Sequence, residues 1–135
     1  MPTQTRTSTG KVVLGVAAAV VLACAGNAVV SFLAQALGAD PNAVEGLQPK
    51  GYVVLTTIGV VIAAFAWASI RKRAEDPART LGKLVPIVVA VSFLADVPVF
   101  FLPGASAVGV VALMVMHVVV AAVAVPVFHR VLPIG

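Results

Sequence analysis

Two side chains in this sequence are of types that carry chemistry yet stand inside apolar runs: Asp96 in "SFLADVPVFFLPG" and His117 in "MVMHVVVAAVAV". A carboxylate and an imidazole at one depth can exchange a proton or share one, or the carboxylate can engage a cation or a polar headgroup. A charge inside a bilayer costs several kcal/mol, so Asp96 must be protonated, paired or hydrated there, and His117 is the cationic partner at that depth. Ser92 precedes Asp96 by four residues and therefore shares its helix face. Pro98 has no N–H to offer the carbonyl of Leu94, which leaves a spare acceptor beside the acid.

Depth follows from the rise per residue, counted from the outer end of each apolar run. About 1.5 Å per residue places Asp96 roughly 11 Å deep, Asn27 about 14 Å, Ser92 and His117 about 16 Å, and Thr56 or Thr57 about 8 Å. The sequence thus predicts a polar pocket lined by Asn27, Ser92, Asp96 and His117, with Thr56 or Thr57 at its mouth. The plainer alternative is that these groups only join helix to helix, at about 0.6–2 kcal/mol each.

The elements that hold these residues are set by composition. Of 135 residues, 61% are apolar and 10% charged, and the mean hydropathy is +1.10, which is a membrane protein's balance. A span needs about 20 apolar residues, and four such runs are present, about 12–36, 51–70, 84–103 and 106–128. What is left is too short for a soluble domain. The first run is about twice the ~7–15 residue core of a signal peptide, so it reads as a retained helix despite the "AQA" at 34–36.

Orientation follows from the basic residues. Arg6 and Lys11, Arg71, Lys72, Arg73, Arg79 and Lys83, and Arg130 fall on one side of an even number of spans, against Lys50 on the other, where Asp40 and Glu45 offset it. The cytoplasmic side collects Lys and Arg, so both termini are expected there, in a multi-pass protein of the plasma membrane. The same rule accounts for the net charge of +4; no nucleic-acid partner is implied.

In the first span Gly15, Ala19, Ala23, Asn27, Ser31 and Gln35 recur every four residues, one stripe on a helix, small at one end and polar at the other. Small residues allow close helix approach, so this face is expected to point inward. In the second span Tyr52 and Trp67 sit near the two edges, where amphipathic rings anchor at the interface. The loop "LGADPNAVEGLQPKG" is rich in turn formers and is expected to cap the outer mouth of the bundle, while "RKRAEDPARTLGK" reads as a solvated connector. Cys24, alone in a span, reads as a packed thiol.

Other chemistry finds no support. His117 and His129 are twelve residues apart and differ in depth, so no metal or haem ligand set forms and no cofactor is expected. There is no phosphate-binding glycine loop and no nucleophile elbow. The small multidrug exporters, also four-span proteins, carry a glutamate in the first span, where this chain has Asn27. The chain instead resembles a family of small four-span membrane proteins of unknown function found mainly in actinobacteria. Its members often end in "MH", a valine- and alanine-rich helix, a proline and a basic residue; here that is "MHVVVAAVAVPVFHR", Met116 to Arg130. That resemblance implies the four-span layout and carries no activity or site residue with it.

The expected fold is therefore all-α: an integral membrane up-and-down bundle of four transmembrane helices, with cytoplasmic tails at 1–11 and 129–135. The expected function is that of a small polytopic membrane component which binds a lipid or a partner through a polar pocket in its outer half. Two alternatives follow from the same residues: a proton- or cation-coupled transporter or channel subunit, which predicts a homo-oligomer, and a small membrane enzyme using Asp96 and His117 on a lipophilic substrate.

Overall fold

The computed structural model describes residues 7–135, so Arg6 and the rest of the first six residues lie outside it. Four long helices follow one another: α1 (Thr9–Ala36), α2 (Pro49–Arg73), α3 (Pro77–Asp96, continued by a 3-10 turn, Val97–Phe101) and α4 (Ala107–Val131). Among the described residues there is no strand. Each helix is long and apolar enough to cross a bilayer. The chain is an all-α, multi-pass membrane protein with an up-and-down arrangement.

The helix ends follow from local chemistry. Ser8, Asp76 and Ser106 cap α1, α3 and α4, each side-chain oxygen accepting the backbone N–H three residues on, which satisfies one of the donors a helix start leaves free. Helix α1 stops at Gly38, whose φ of +97° suits a residue without Cβ. There the Gly38 N–H bonds the Gln35 carbonyl and the Ala39 N–H bonds the Ala34 carbonyl, a Schellman ending followed by Pro41.

Helix α1 packs most extensively against α4 and also against α2; α3 packs against α4 and α2. The order around the bundle is therefore α1, α2, α3, α4, with α1 and α3 at opposite corners. Both termini lie at one end, called here the terminal end; the 37–48 loop and the 102–106 turn form the cap end. The expected stripe on α1 does face inward: Ala19, Ala23, Asn27 and Ser31 are all buried. A Cβ on Gly15 would run into Val131, and one on Gly26 into Val119, so glycine sets the approach of α1 to α4.

Two apolar clusters fill the interior. At the terminal end Ala19, Val60, Ala64, Trp67, Leu81, Ala124, Phe128 and Leu132 pack together. At the cap end Ala34, Ala112 and Met116 meet Ala39, Val44 and Leu47 from the loop. The loop thus caps the bundle, as its composition suggests, and Ser31 Oγ holds it by donating to the Leu47 carbonyl.

Two expectations change. Trp67 is no interface anchor: it is 3% exposed, its ring tilts against Phe128, and its Nε1–H donates to the Leu132 carbonyl at 3.0 Å. The partner that draws it inward is a carbonyl just past the end of α4, where no further helical turn supplies a donor. The charged connector at 71–83 is mostly helix, with only Ala74–Asp76 between α2 and α3. Pro77 takes the first position of α3, where its missing N–H costs nothing.

Gly51, at the start of α2, lies where a Cβ would collide with the Glu45 backbone carbonyl, whereas a Cβ on Gly59 meets nothing within 4 Å. Gly51→Ala is expected to lose stability by about 1–3 kcal/mol, the usual toll of overpacking. Gly59→Ala should leave it unchanged or slightly raised. Thermal unfolding in detergent micelles measures both; equal midpoints for the two variants would refute the cap packing.

Candidate functional site

Two pairs of polar side chains meet across helix interfaces in the interior. On the α1–α2 interface, Asn27 Nδ2 donates to Thr56 Oγ1 at 2.9 Å, with Asn27 only 1% exposed. Thr57, the alternative to Thr56, instead bonds the Val53 carbonyl of its own helix. Nearer the cap end, Gln35 Nε2 donates to Ser31 Oγ at 3.0 Å, and Ser31 passes the chain on to Leu47.

On the α3–α4 interface, Asp96 Oδ2 lies 3.1 Å from His117 Nδ1, with the aspartate side chain 10% and the histidine side chain 38% exposed. The same nitrogen lies 2.9 Å from the Leu113 carbonyl oxygen. A carbonyl only accepts, so Nδ1 must carry the hydrogen there and Nε2 is the ring's free nitrogen. That hydrogen points at Leu113. Asp96 Oδ2 is within ion-pair distance, yet it receives no hydrogen bond and is one of two such orphaned buried oxygens among the described residues, with Asn27 Oδ1.

The fold explains why Asp96 is placed so. Pro98 cannot continue the α-helical ladder, and at this point α3 gives way to the 3-10 turn. Asp96 ends α3, and α3 itself buries little: only Leu81 and Asp96 are buried along it. Ser92, on the same face, donates to the Val88 carbonyl of its own helix at 2.8 Å. The structure therefore brings Asp96 to His117 and Asn27 to Thr56, while no hydrogen bond joins the two pairs or draws in Ser92.

Two concavities stand out elsewhere. A wholly apolar groove of about 440 Å³ runs between α1 and α4 near the cap end, lined by Val30, Leu33, Ala34, Val108, Val111 and Ala112 among others. A smaller dent lies beside Glu45, Lys50 and Gly51. Neither touches Asp96, His117, Asn27 or Ser92. No three His, Cys, Asp or Glu side chains converge among the described residues.

Sequence reasoning did not single out the Ser31–Leu47 and Trp67–Leu132 bonds. In both the acceptor is a backbone carbonyl outside the long helices, and carbonyls carry no residue signature. The four-residue stripe did contain Ser31, so the donor was visible and its partner was not.

Compared with known families, residues 7–133 match a family of unknown function, DUF6069. No curated protein and no solved structure matches the chain.

The Asn27–Thr56 bond makes a prediction whose sign is informative. Thr56→Val strips a buried amide of its acceptor and should cost about 1–3 kcal/mol, the penalty for an unsatisfied buried group. Adding Asn27→Leu should recover part of that loss, because removing both partners is gentler than removing one. A double-mutant cycle read by thermal unfolding checks it; strictly additive losses would mean that the pair is not coupled.

Proposed function

The chain belongs to this family of unknown function, so its own geometry must supply the chemistry, and we propose that it is a partner-binding component of the plasma membrane. Both termini lie in the cytoplasm on this reading, because Lys11, Arg71, Lys72, Arg73, Arg79, Lys83 and Arg130 gather at the terminal end and Lys50 alone at the other. The binding site is the flank between α3 and α4 where Asp96 meets His117.

One observation carries the reading: a buried carboxylate oxygen, Asp96 Oδ2, without a hydrogen bond, beside an imidazole whose side chain is 38% exposed. A buried oxygen left so is costly, and a charged one more so. A donor arriving from the membrane would satisfy it. The donor sought is a hydroxyl, an amide or an ammonium group.

Depth favours a helix of a partner protein over a lipid headgroup. Spans of 25 residues are about 37 Å long and overhang a ~30 Å hydrocarbon core by roughly 4 Å at each end. Asp96 lies five 3-10 residues inside the cap end, and His117 ten α-helical residues, which places them roughly 6 and 11 Å below the hydrocarbon boundary. A headgroup would have to sink to that level, whereas a helix carries Ser, Thr, Asn or Lys donors to any depth.

The half-exposed imidazole favours a second reading, in which the pair passes protons as part of a transporter or channel subunit. The two separate by experiment. A photoreactive residue at Phe100, one turn beyond Asp96, should give a discrete protein adduct in native membranes, while the same probe at Leu22 on α1 should not. Asp96→Asn or His117→Ala should weaken the adduct at least tenfold, since a bond to a charged group is worth about 1.5–3 kcal/mol. Lipid adducts alone would favour the headgroup, and Asp96-dependent proton uptake by proteoliposomes would favour transport.

A further inference from the structure

Helix α3 is attached to the rest of the bundle unevenly. At the terminal end Leu81 is buried in the apolar cluster with Trp67, Ala124 and Phe128. Fifteen residues on, Asp96 is the next buried residue, and Ile87, Val88, Val91 and Leu94 between them face the membrane. The remaining side-chain hydrogen bonds of α3 stay within it: Asp76 caps Arg79, Thr80 bonds the Asp76 carbonyl, and Ser92 bonds the Val88 carbonyl. Asp96 facing His117 is thus the one polar side-chain contact from α3 to another helix among the described residues.

Just past the Leu81 anchor the helix is built to bend. Pro86 lies inside α3 and has no N–H for the Gly82 carbonyl, the usual cause of a helix kink. Gly82 is not there for space, since a Cβ on it would meet nothing within 4 Å. A glycine that packing does not require, one turn before a proline, leaves the backbone soft at that point.

We infer that residues 87–101 form a hinged arm, latched to α4 by Asp96 and His117, that swings away from α4 about Gly82 and Pro86 when a proton neutralises the Asp96 carboxylate. The latch is weak by construction. The hydrogen on His117 Nδ1 is taken by the Leu113 carbonyl at 2.9 Å, and Asp96 Oδ2 lies 3.1 Å from the same nitrogen without receiving it. What holds Asp96 is therefore the attraction of a carboxylate for the N–H edge of the imidazole beside it, which fades when the carboxylate takes a proton. Apolar contact of Val99 with the cap cluster returns the arm to α4 when the charge is restored.

No other charge stands ready to replace the latch. Helix α2 offers Lys50 and Tyr52 at the cap end and then nothing titratable until Arg71; α1 offers only Cys24 between Lys11 and its end; the 3-10 turn of the loop offers Glu45; and α4 has no second titratable group before His129. The inference concerns the regulation of the flank read above as the partner site and rests on that reading for its purpose. The movement itself is a property of this chain alone.

The test uses the full chain with Cys24→Ser, in liposomes without any partner. Spin labels at Leu94 on the arm and Phe32 on α1 report their separation. With a kink of about 20°, eight residues beyond Pro86, Leu94 would move by about 4 Å. Near neutral pH one narrow distance is expected. Acidification should lengthen or broaden it, Asp96→Asn should do so at every pH, and Gly82→Ala should narrow the spread in both cases. Labels at Lys11 and Arg79, on the terminal side of the hinge, should not respond.

Should Asp96→Asn fail to fold, acid titration of the unmutated latch against Gly82→Ala gives the same answer. A distance independent of both pH and Asp96, or a spread indifferent to Gly82→Ala, would overturn the arm. An arm that moves as described while Phe100 captures no partner would leave the movement standing and remove the binding reading.

Discussion

In a bilayer the lipid is as apolar as leucine, so helices are not driven together by the force that gathers a soluble core. Their association depends on how closely the backbones approach. In this bundle that approach is made by one stripe on α1, where Gly15 accepts Val131 of α4 and Ala19 and Ala23 are fully enclosed, with Gly26 beside the stripe accepting Val119. From it follows the rest of the interior. The same stripe carries Asn27 to Thr56 and Ser31 to Leu47, so the polar bonds that fix α2 and the loop are placed by the register that the small residues set.

The cap end shows a second consequence of the same solvent. Backbone groups near hydrocarbon must find partners within the protein. The loop between α1 and α2 meets that demand by closing its turns on itself, with Ala39 returning to Ala34, Val44 to Asp40 and Gln48 to Glu45. It then buries Val44 and Leu47. A loop of that composition in water would be free to spread; here its apolar residues plug the space that four thin helices leave open.

Much of this was legible in the sequence, for physical reasons that can be named. Length and hydropathy fix the number of spans because hydrocarbon thickness is a fixed ruler. The α1 stripe was legible because helical periodicity turns spacing into a face. Trp67 was misplaced because its aromatic type suggests an interface, while the Leu132 carbonyl that draws it inward has no signature. Asp96 and His117 could be set at neighbouring depths, since rise per residue measures depth. What depth does not contain is azimuth: it could not say that Asn27 pairs with Thr56 on α2, that Ser92 bonds its own helix, or that Asp96 and His117 stand apart from both.

The two orphaned oxygens, Asn27 Oδ1 and Asp96 Oδ2, clarify where chemistry belongs in such a fold. Asn27 is neutral and lies on the buried face of α1, where an unmet acceptor is a bounded loss set against the packing around it. Asp96 carries an ionisable group on the least enclosed helix, so its surroundings contribute less and its missing bond costs more. Moving the acid to the α1 stripe would have enclosed it in a site that nothing can enter or leave. On α3 it keeps one partner of its own, His117, and the exposed side of the pair is the imidazole's. A carboxylate so placed contributes little to holding the bundle together, and that is why the proposed reading gives it a partner from outside the bundle.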